Sequence, residues 1–151
     1  MLKKLSQWFT DEVLTQPEAA TEGHGLELAT AALMMEVARS DQEKSPQELA
    51  LILKTMRSRL HLSEKELKDL VNLAEESAEE AHDLYAFTSL VNENFDYQEK
   101  KQLLVDLWRI AYADATLDSY ESHIIRRIAG LMHVSNNDML HARSKARPNG
   151  D

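Results

Sequence analysis

The stretch KQLLVDLWRIAYADATLDSYESHIIRRIAG, residues 101–130, contains two apolar helical patterns joined by a short acidic segment. Residues 101–113 are apolar nearly all round, which is typical of a helix buried in a bundle. The second helix is predicted to begin at Asp118, because Asp118 and Glu121 have the spacing of a capping box. Asp114 lies between them, at a helix C-terminus where the macrodipole disfavours a carboxylate by about 0.3–1 kcal/mol. This acidic segment therefore calls for an explanation beyond the helices themselves.

The same order of parts occurs earlier in the chain. Residues 32–52 align with residues 105–125 without a gap, so that Asp41 corresponds to Asp114 and Glu48 to Glu121. Only four of the 21 aligned positions are identical, but each copy runs from an apolar helix through an acid to a capped helix. Each copy then ends in a similar tetrapeptide, LHLS at 60–63 and MHVS at 132–135. We interpret the pattern as a duplicated helix-loop-helix.

The rest of the chain predicts further helices and no sheet. Residues 26–39 form a second segment that is apolar nearly all round. Other helix starts are marked by capping chemistry, in full at Ser45/Glu48, Ser63/Glu66 and Asp96/Glu99 and in weaker form at Ser135. A spacing of three and four links Leu67, Leu70 and Val71, and continues later through Tyr85, Thr88 and Val91. We predict an all-α, single-domain bundle of about seven to eight helices with an internal repeat, in which segments 26–39 and 101–113 pack together.

The ends of the chain differ from its centre. Leu2, Leu5, Phe9 and Val13 share one helical face with Trp8 at its margin, which predicts an amphipathic helix docked on the body. Contact of residues 1–14 with a membrane surface is the weaker alternative. With the polar linker 15–23 this gives an N-terminal segment 1–23, a helical domain 24–142 and a frayed tail 143–151.

Composition excludes several classes of function. The chain has 151 residues and a formal net charge of −9, which argues against nucleic acid, since such binding depends on Lys and Arg. It contains no cysteine, so thiol catalysis and thiolate metal sites are excluded, and a reducing, cytoplasmic location is expected. No apolar run approaches the roughly 18 residues of a transmembrane helix, and the N-terminus lacks the pattern of a signal peptide.

The acids of the two copies have two alternative explanations. Glu48 and Glu121 occupy the third helical position of a capping box, and Asp118 is itself a cap, so these three need no ligand. Asp41 and Asp114 follow buried helices, where a local turn to their own backbone is one explanation. The other is a Ca²⁺ or Mg²⁺ ion held by carboxylates and helix-end carbonyls. The candidate ligands are then Asp114, Glu121, Asp118, Asp41 and Glu48.

Neither an EF-hand nor an enzyme is indicated. Counted from Asp114, the glycine and glutamate that an EF-hand loop requires are Ser119 and Ile125. The sequence also lacks the zinc-protease, nucleophile-elbow and phosphate-loop motifs. His61 and His133 are predicted to close helix C-termini, where a partial positive charge is favourable. We therefore expect no catalytic residue.

Two stretches carry a resemblance to a known family. DLYAFTSLVNENFD, residues 83–96, and the segment from Leu103 to Ser135 resemble the TerB-like family, related to the tellurite-resistance protein TerB. The resemblance runs from about Leu26 to Leu140. It implies an all-helical, cytoplasmic bacterial domain, associated with stress or envelope systems, with proposed divalent-metal binding. The family's Ala-Asp-Gly is matched by Ala113-Asp114, but its glycine is replaced by Ala115 in this copy and by Gln42 in the other.

Two functional hypotheses follow from the residues and the resemblance. The first is a non-catalytic TerB-like binding module with a Ca²⁺ or Mg²⁺ site in its acidic loops, linked to stress or tellurite resistance. The second is a metal-free interaction domain that docks a partner helix in a groove between the two repeats. The partner in that case is an unidentified protein or a second copy of the chain.

Overall fold

The chain folds as a bundle of helices. The computed structural model describes residues 8–10, 24–40, 45–76, 84–114 and 119–147. Within these ranges there are seven α-helices and no strand. The helices are α1 (His24–Ser40), α2 (Pro46–Arg59), α3 (Glu64–Glu76), α4 (Leu84–Asn94), α5 (Tyr97–Ala111), α6 (Ser119–Leu131) and α7 (Asn136–Ala146), with a 3₁₀ turn at Tyr112–Asp114 after α5. The predicted all-α class is confirmed.

Capping boxes start several of these helices, as the sequence predicts. At α2 the Glu48 amide donates to the Ser45 hydroxyl at 3.1 Å, and the Ser45 amide donates to the Glu48 carboxylate at 3.0 Å. The same reciprocal pair joins Ser63 to Glu66 at α3 and Asp96 to Glu99 at α5. Each pair satisfies backbone donors that a helix cannot pair internally. These local bonds fix where α2, α3 and α5 begin.

Helices α1 and α5 form the centre of the bundle. Every side chain of α1 from Leu28 to Ala38 is buried. Helix α1 packs against α3, α4, α5 and α6, while α5 packs against α1, α2, α6 and α7. A helix that is apolar nearly all round needs neighbours on several sides, which explains why these two segments are central. The predicted packing of the two apolar segments against each other is confirmed.

Two turns of the same shape follow α2 and α6. His61 and His133 adopt the left-handed conformation, with φ of 56° and 60°. In the first turn the Leu62 amide donates to the carbonyl of Arg57 at 3.1 Å, and in the second the Val134 amide donates to that of Ala129 at 3.0 Å. These bonds to a carbonyl five residues earlier are those of a Schellman motif. The histidines therefore close the two helices as predicted, whereas the duplication of the whole helix-loop-helix stays a prediction.

The N-terminal segment contributes to the core. Trp8 and Phe9 are buried, and the Phe9 ring lies 5.3 Å from the ring of Phe87 and 6.3 Å from that of Phe95. Docking on the body is thus confirmed for these two residues, while Leu2, Leu5 and Val13 lie outside the described residues. The described helices include none that is both long and apolar enough to cross a bilayer.

Helix α7 continues to Ala146, past residue 142, where the sequence analysis placed the end of the helical domain. Ala146 is buried, and Arg143 donates to the hydroxyl of Tyr112. One local prediction was wrong. On α4 the spacing rule selected Tyr85, but this side chain is 72% exposed. Phe87 occupies the core in its place, against Phe9.

Candidate functional site

The acidic segment between α5 and α6 lies where the sequence placed it. Helix α5 ends at Ala111, and the Tyr112 amide turns back to the carbonyls of Trp108 and Ile110. The 3₁₀ turn that follows packs against α2. Asp114 therefore sits at a helix C-terminal turn, as predicted. Its side chain, together with Asp118 and Asp41, lies outside what the structure describes.

Glu121 differs from the other glutamates that follow a helix cap. It occupies the first turn of α6 and is 1% exposed. Glu48, Glu66 and Glu99 hold the equivalent positions on α2, α3 and α5, and all three are only half-buried. Burying a carboxylate is costly unless it is compensated by hydrogen bonds or positive charge. The burial of Glu121 thus distinguishes the acidic segment from an ordinary capped helix start.

Glu48 belongs to a different part of α2 from the one that meets the acidic segment. Arg59, the last residue of α2, lines a common cavity with Tyr112 and Ala113. Glu48 stands in the first turn of the same helix, roughly 16 Å away along its axis at 1.5 Å per residue. Glu48 is also bonded to the cap Ser45, so capping explains its position.

The described residues do not by themselves complete a metal site. Within the ranges given above, no group of three or more histidine or acidic side chains could hold a metal ion. Of the five predicted ligands, only Glu121 and Glu48 have described side chains. The metal role of Glu121 therefore stays a prediction from sequence.

A network of two histidines and two glutamates, absent from the predicted site residues, joins α1 to α3. The His24 ring bonds Glu27 through Nδ1 and Glu66 through Nε2, each at 2.9 Å. The second carboxylate oxygen of Glu27 lies 2.7 Å from Nδ1 of His61. Sequence reasoning assigned Glu66 and His61 only to helix ends. His24 and Glu66 are 42 residues apart in sequence, and no local sequence pattern predicts a contact between residues so far apart.

This network shifts the pKa values of two of its members. Burial alone would lower the pKa of His24, but its bonds to Glu27 and Glu66 raise that pKa above 6.5. Burial alone would raise the pKa of Glu66, but its bonds to Ser63 and His24 lower that pKa below 4.5. Between pH 4.5 and pH 6.5 the His24 ring and the Glu66 carboxylate are both charged and attract each other.

The fold and the acidic segment together define an all-α domain built round two central helices, with a buried carboxylate at the junction of α5 and α6. The sequence model of one family, described as Tellurite resistance protein TerB, matches residues 27–144. Because this match spans more than half of the chain, the protein belongs to the TerB family. No curated protein and no solved structure matches the chain significantly.

Proposed function

We propose that the chain is a non-catalytic binding module of a tellurite-resistance or related stress system, and that its acidic segment holds a divalent cation. Family membership supports the first part, since the matching family is described by tellurite resistance. The proposed ligands are Asp114, Asp118 and Glu121, with Asp41 as the equivalent acid of the first copy. Carboxylates and helix-end carbonyls are the oxygen ligands that Ca²⁺ and Mg²⁺ take.

The observation that carries the cation proposal is the burial of Glu121. Its carboxylate is 1% exposed, although glutamates at the same position of three other helices are half-buried. Asp114 stands at the end of α5, where the helix dipole opposes its charge. A cation between α5 and α6 would carry the charge opposite to that of both carboxylates.

Calorimetric titration of chelator-treated protein with Ca²⁺, Mg²⁺, Mn²⁺ and Zn²⁺ tests the proposal. The wild-type chain is expected to bind Ca²⁺ or Mg²⁺ with measurable heat. Glu121→Gln should weaken that binding at least tenfold, because glutamine retains the capping role but removes the charge. The matched control is Glu99→Gln, which makes the same change at the capping glutamate of α5 and should leave metal affinity unchanged.

Two results would contradict the proposed cation site. The first is the absence of binding heat for all four metals in wild-type protein. The second is an equal loss of affinity in Glu121→Gln and Glu99→Gln, which would indicate a general effect of surface charge. Melting temperatures of both variants without metal show whether they remain folded.

A second candidate function is supported by the outer surface of α2. Leu49 and Leu51 are each 37% exposed, and Leu51 lines a cavity of about 310 Å³ with Lys54, Thr55 and Ser58. This surface suits a metal-free interaction with a partner helix or a second chain. For the second chain, sedimentation should show self-association that Leu49→Ser/Leu51→Ser abolishes and the exposed control Tyr85→Ser does not. A wild-type chain that remains monomeric would exclude the homodimer.

A further inference from the structure

Three helix C-termini meet on one side of the molecule, around a single cavity. Arg59 is the last residue of α2, Tyr112 and Ala113 follow α5, and Ala146 and Arg147 end α7. These residues, with Arg109 and Lys145, line a cavity of about 490 Å³, which is within the usual range for small-molecule sites. Four cationic side chains from three helices therefore face one space, in a chain whose formal net charge is −9.

A fifth cation is held beside this cavity. The Arg143 guanidinium donates from Nε to the Tyr112 hydroxyl at 2.9 Å and lies over the Trp108 ring, 5.0 Å from its centroid. Burial alone would raise the pKa of Tyr112, but hydrogen bonds from Arg143 and Arg147 and their positive charges lower it. The phenol thus reports a positive electrostatic environment on this side of the molecule.

Basic residues at helix C-termini have an ordinary explanation, because they offset the negative end of the dipole. Here that explanation covers only part of the charge. Three C-termini contribute about −0.5 charge each, and Asp106 lies 4.0 Å from Arg109 as its ion-pair partner. The five cations outnumber these negative charges, so the side of the molecule around the cavity is basic.

We propose that the cavity lined by Arg59, Arg109, Lys145 and Arg147 binds a small organic phosphate that carries at least two negative charges. Three of the four cations are arginines, whose guanidinium groups bind phosphate oxygens in pairs. Cations from three helices match a ligand with several phosphate oxygens better than a single carboxylate. This ligand is distinct from the cation proposed for the acidic segment.

The test is calorimetry at low ionic strength on full-length, metal-free protein with inorganic diphosphate and ATP as probes. We expect both to bind, since they share the phosphate chain, and tighter binding of ATP would assign a contribution to the organic part. Arg59→Gln and Arg147→Gln, both at exposed residues, should each weaken binding at least tenfold. The matched control is Arg126→Gln/Arg127→Gln, two exposed arginines of α6 outside the cavity, which should bind as wild type does.

Three outcomes would overturn the proposal. One is no binding of either probe by the wild-type protein. Another is equal weakening in the Arg126→Gln/Arg127→Gln control, which would make the effect one of overall charge. The third is tighter binding of a hexaglutamate peptide than of diphosphate, which would assign the cavity to an acidic protein partner. Because metal is absent throughout, failure of this test leaves the divalent-cation site untouched.

Discussion

His24 and Glu66 are joined by a bond of 2.9 Å between Nε2 and a carboxylate oxygen, across the packed helices α1 and α3. Glu66 also accepts from the Ser63 amide at 2.9 Å, so one carboxylate both caps α3 and holds the start of α1. The other nitrogen of His24 bonds Glu27, which in turn bonds His61 in the turn after α2. The start of α1 is thus tied by four side chains to α3 and to the turn that precedes α3.

This network predicts a pH-dependent contribution to stability. The raised pKa of His24 means that its contribution is complete below pH 6.5 and is lost as the pH rises through the folded-state value. The lowered pKa of Glu66 means that its contribution is present above pH 4.5 and is lost as the pH falls through the folded-state value. The network should therefore stabilise the fold most between about pH 4.5 and 6.5.

Urea denaturation of wild type and His24→Gln at pH 5.5 and pH 8 measures this effect. At pH 5.5 the variant should be less stable by about 1 kcal/mol, the usual scale for a partly exposed charged hydrogen bond. At pH 8 the difference should be smaller, because the charge of His24 is lost as the pH rises through its folded-state pKa. If the stability difference between wild type and His24→Gln is equal at both pH values, or larger at pH 8, the network does not stabilise the fold through the charge of His24.

The two left-handed histidines give a second prediction. A residue with a side chain is strained at positive φ, and glycine is the usual occupant of this helix-closing position. His133→Gly should therefore raise the free energy of unfolding by about 0.5–1 kcal/mol. His61→Gly should raise the free energy of unfolding by less than this, or lower it, since this change also removes the bond to Glu27. Chemical denaturation of both variants decides this, and a destabilised His133→Gly would count against strain at that turn.

Docking of the N-terminal segment on the body of the bundle gives a third prediction. Phe9 is fully buried between the rings of Phe87 and Phe95. Phe9→Ala should cost about 3–5 kcal/mol, the usual range for removing a buried aromatic side chain. The control Tyr85→Ala removes a ring that is 72% exposed and should change stability by about 0.5 kcal/mol or less. Comparable losses in both variants would mean that the N-terminal residues do not pack as described.

Local chemistry made much of this fold predictable. A capping box is a motif of four consecutive residues that marks the start of a helix. The sequence therefore predicted the helix caps Ser45, Ser63 and Asp96 correctly. The apolar circumference of α1 and α5 likewise indicated that both are central. Burial on one face was less predictable, because Phe87 is in the core and Tyr85 is not. Which of two aromatic residues is buried depends on neighbours such as Phe9, more than 70 residues away.

Sites that depend on distant elements were not predictable in the same way. The His24 network joins residues 42 positions apart, and the basic cavity forms only because α2, α5 and α7 end at one place. The burial of Glu121 was not predictable, because a capping box explains why this position carries a glutamate but not how exposed that glutamate is. For Asp41, Asp114 and Asp118 the metal role remains a prediction from sequence and resemblance.

The first copy should respond to metal less than the second. Asp41 is followed by Gln42 and its loop carries Lys44, which departs further from the family pattern than the loop after Asp114 does. Asp41→Asn should therefore lower the metal-induced rise in melting temperature by less than Asp114→Asn does. Differential scanning fluorimetry of both variants in excess Ca²⁺ compares them directly. A larger loss in Asp41→Asn would mean that the first loop is the main cation site.

The most direct measurement is the melting temperature of wild type and Asp114→Asn with and without excess Ca²⁺ or Mg²⁺. Without metal the variant should equal wild type or exceed its stability by a few tenths of a kcal/mol, because the dipole opposes the charge of Asp114. With metal at about 100 times the dissociation constant, wild type should gain about 2.7 kcal/mol, or roughly 5–10 °C, and the variant much less. The sign of the difference between the two proteins should therefore reverse on adding metal. If both proteins melt together under every metal condition, the acidic segment holds no cation and its acids serve only their own helices.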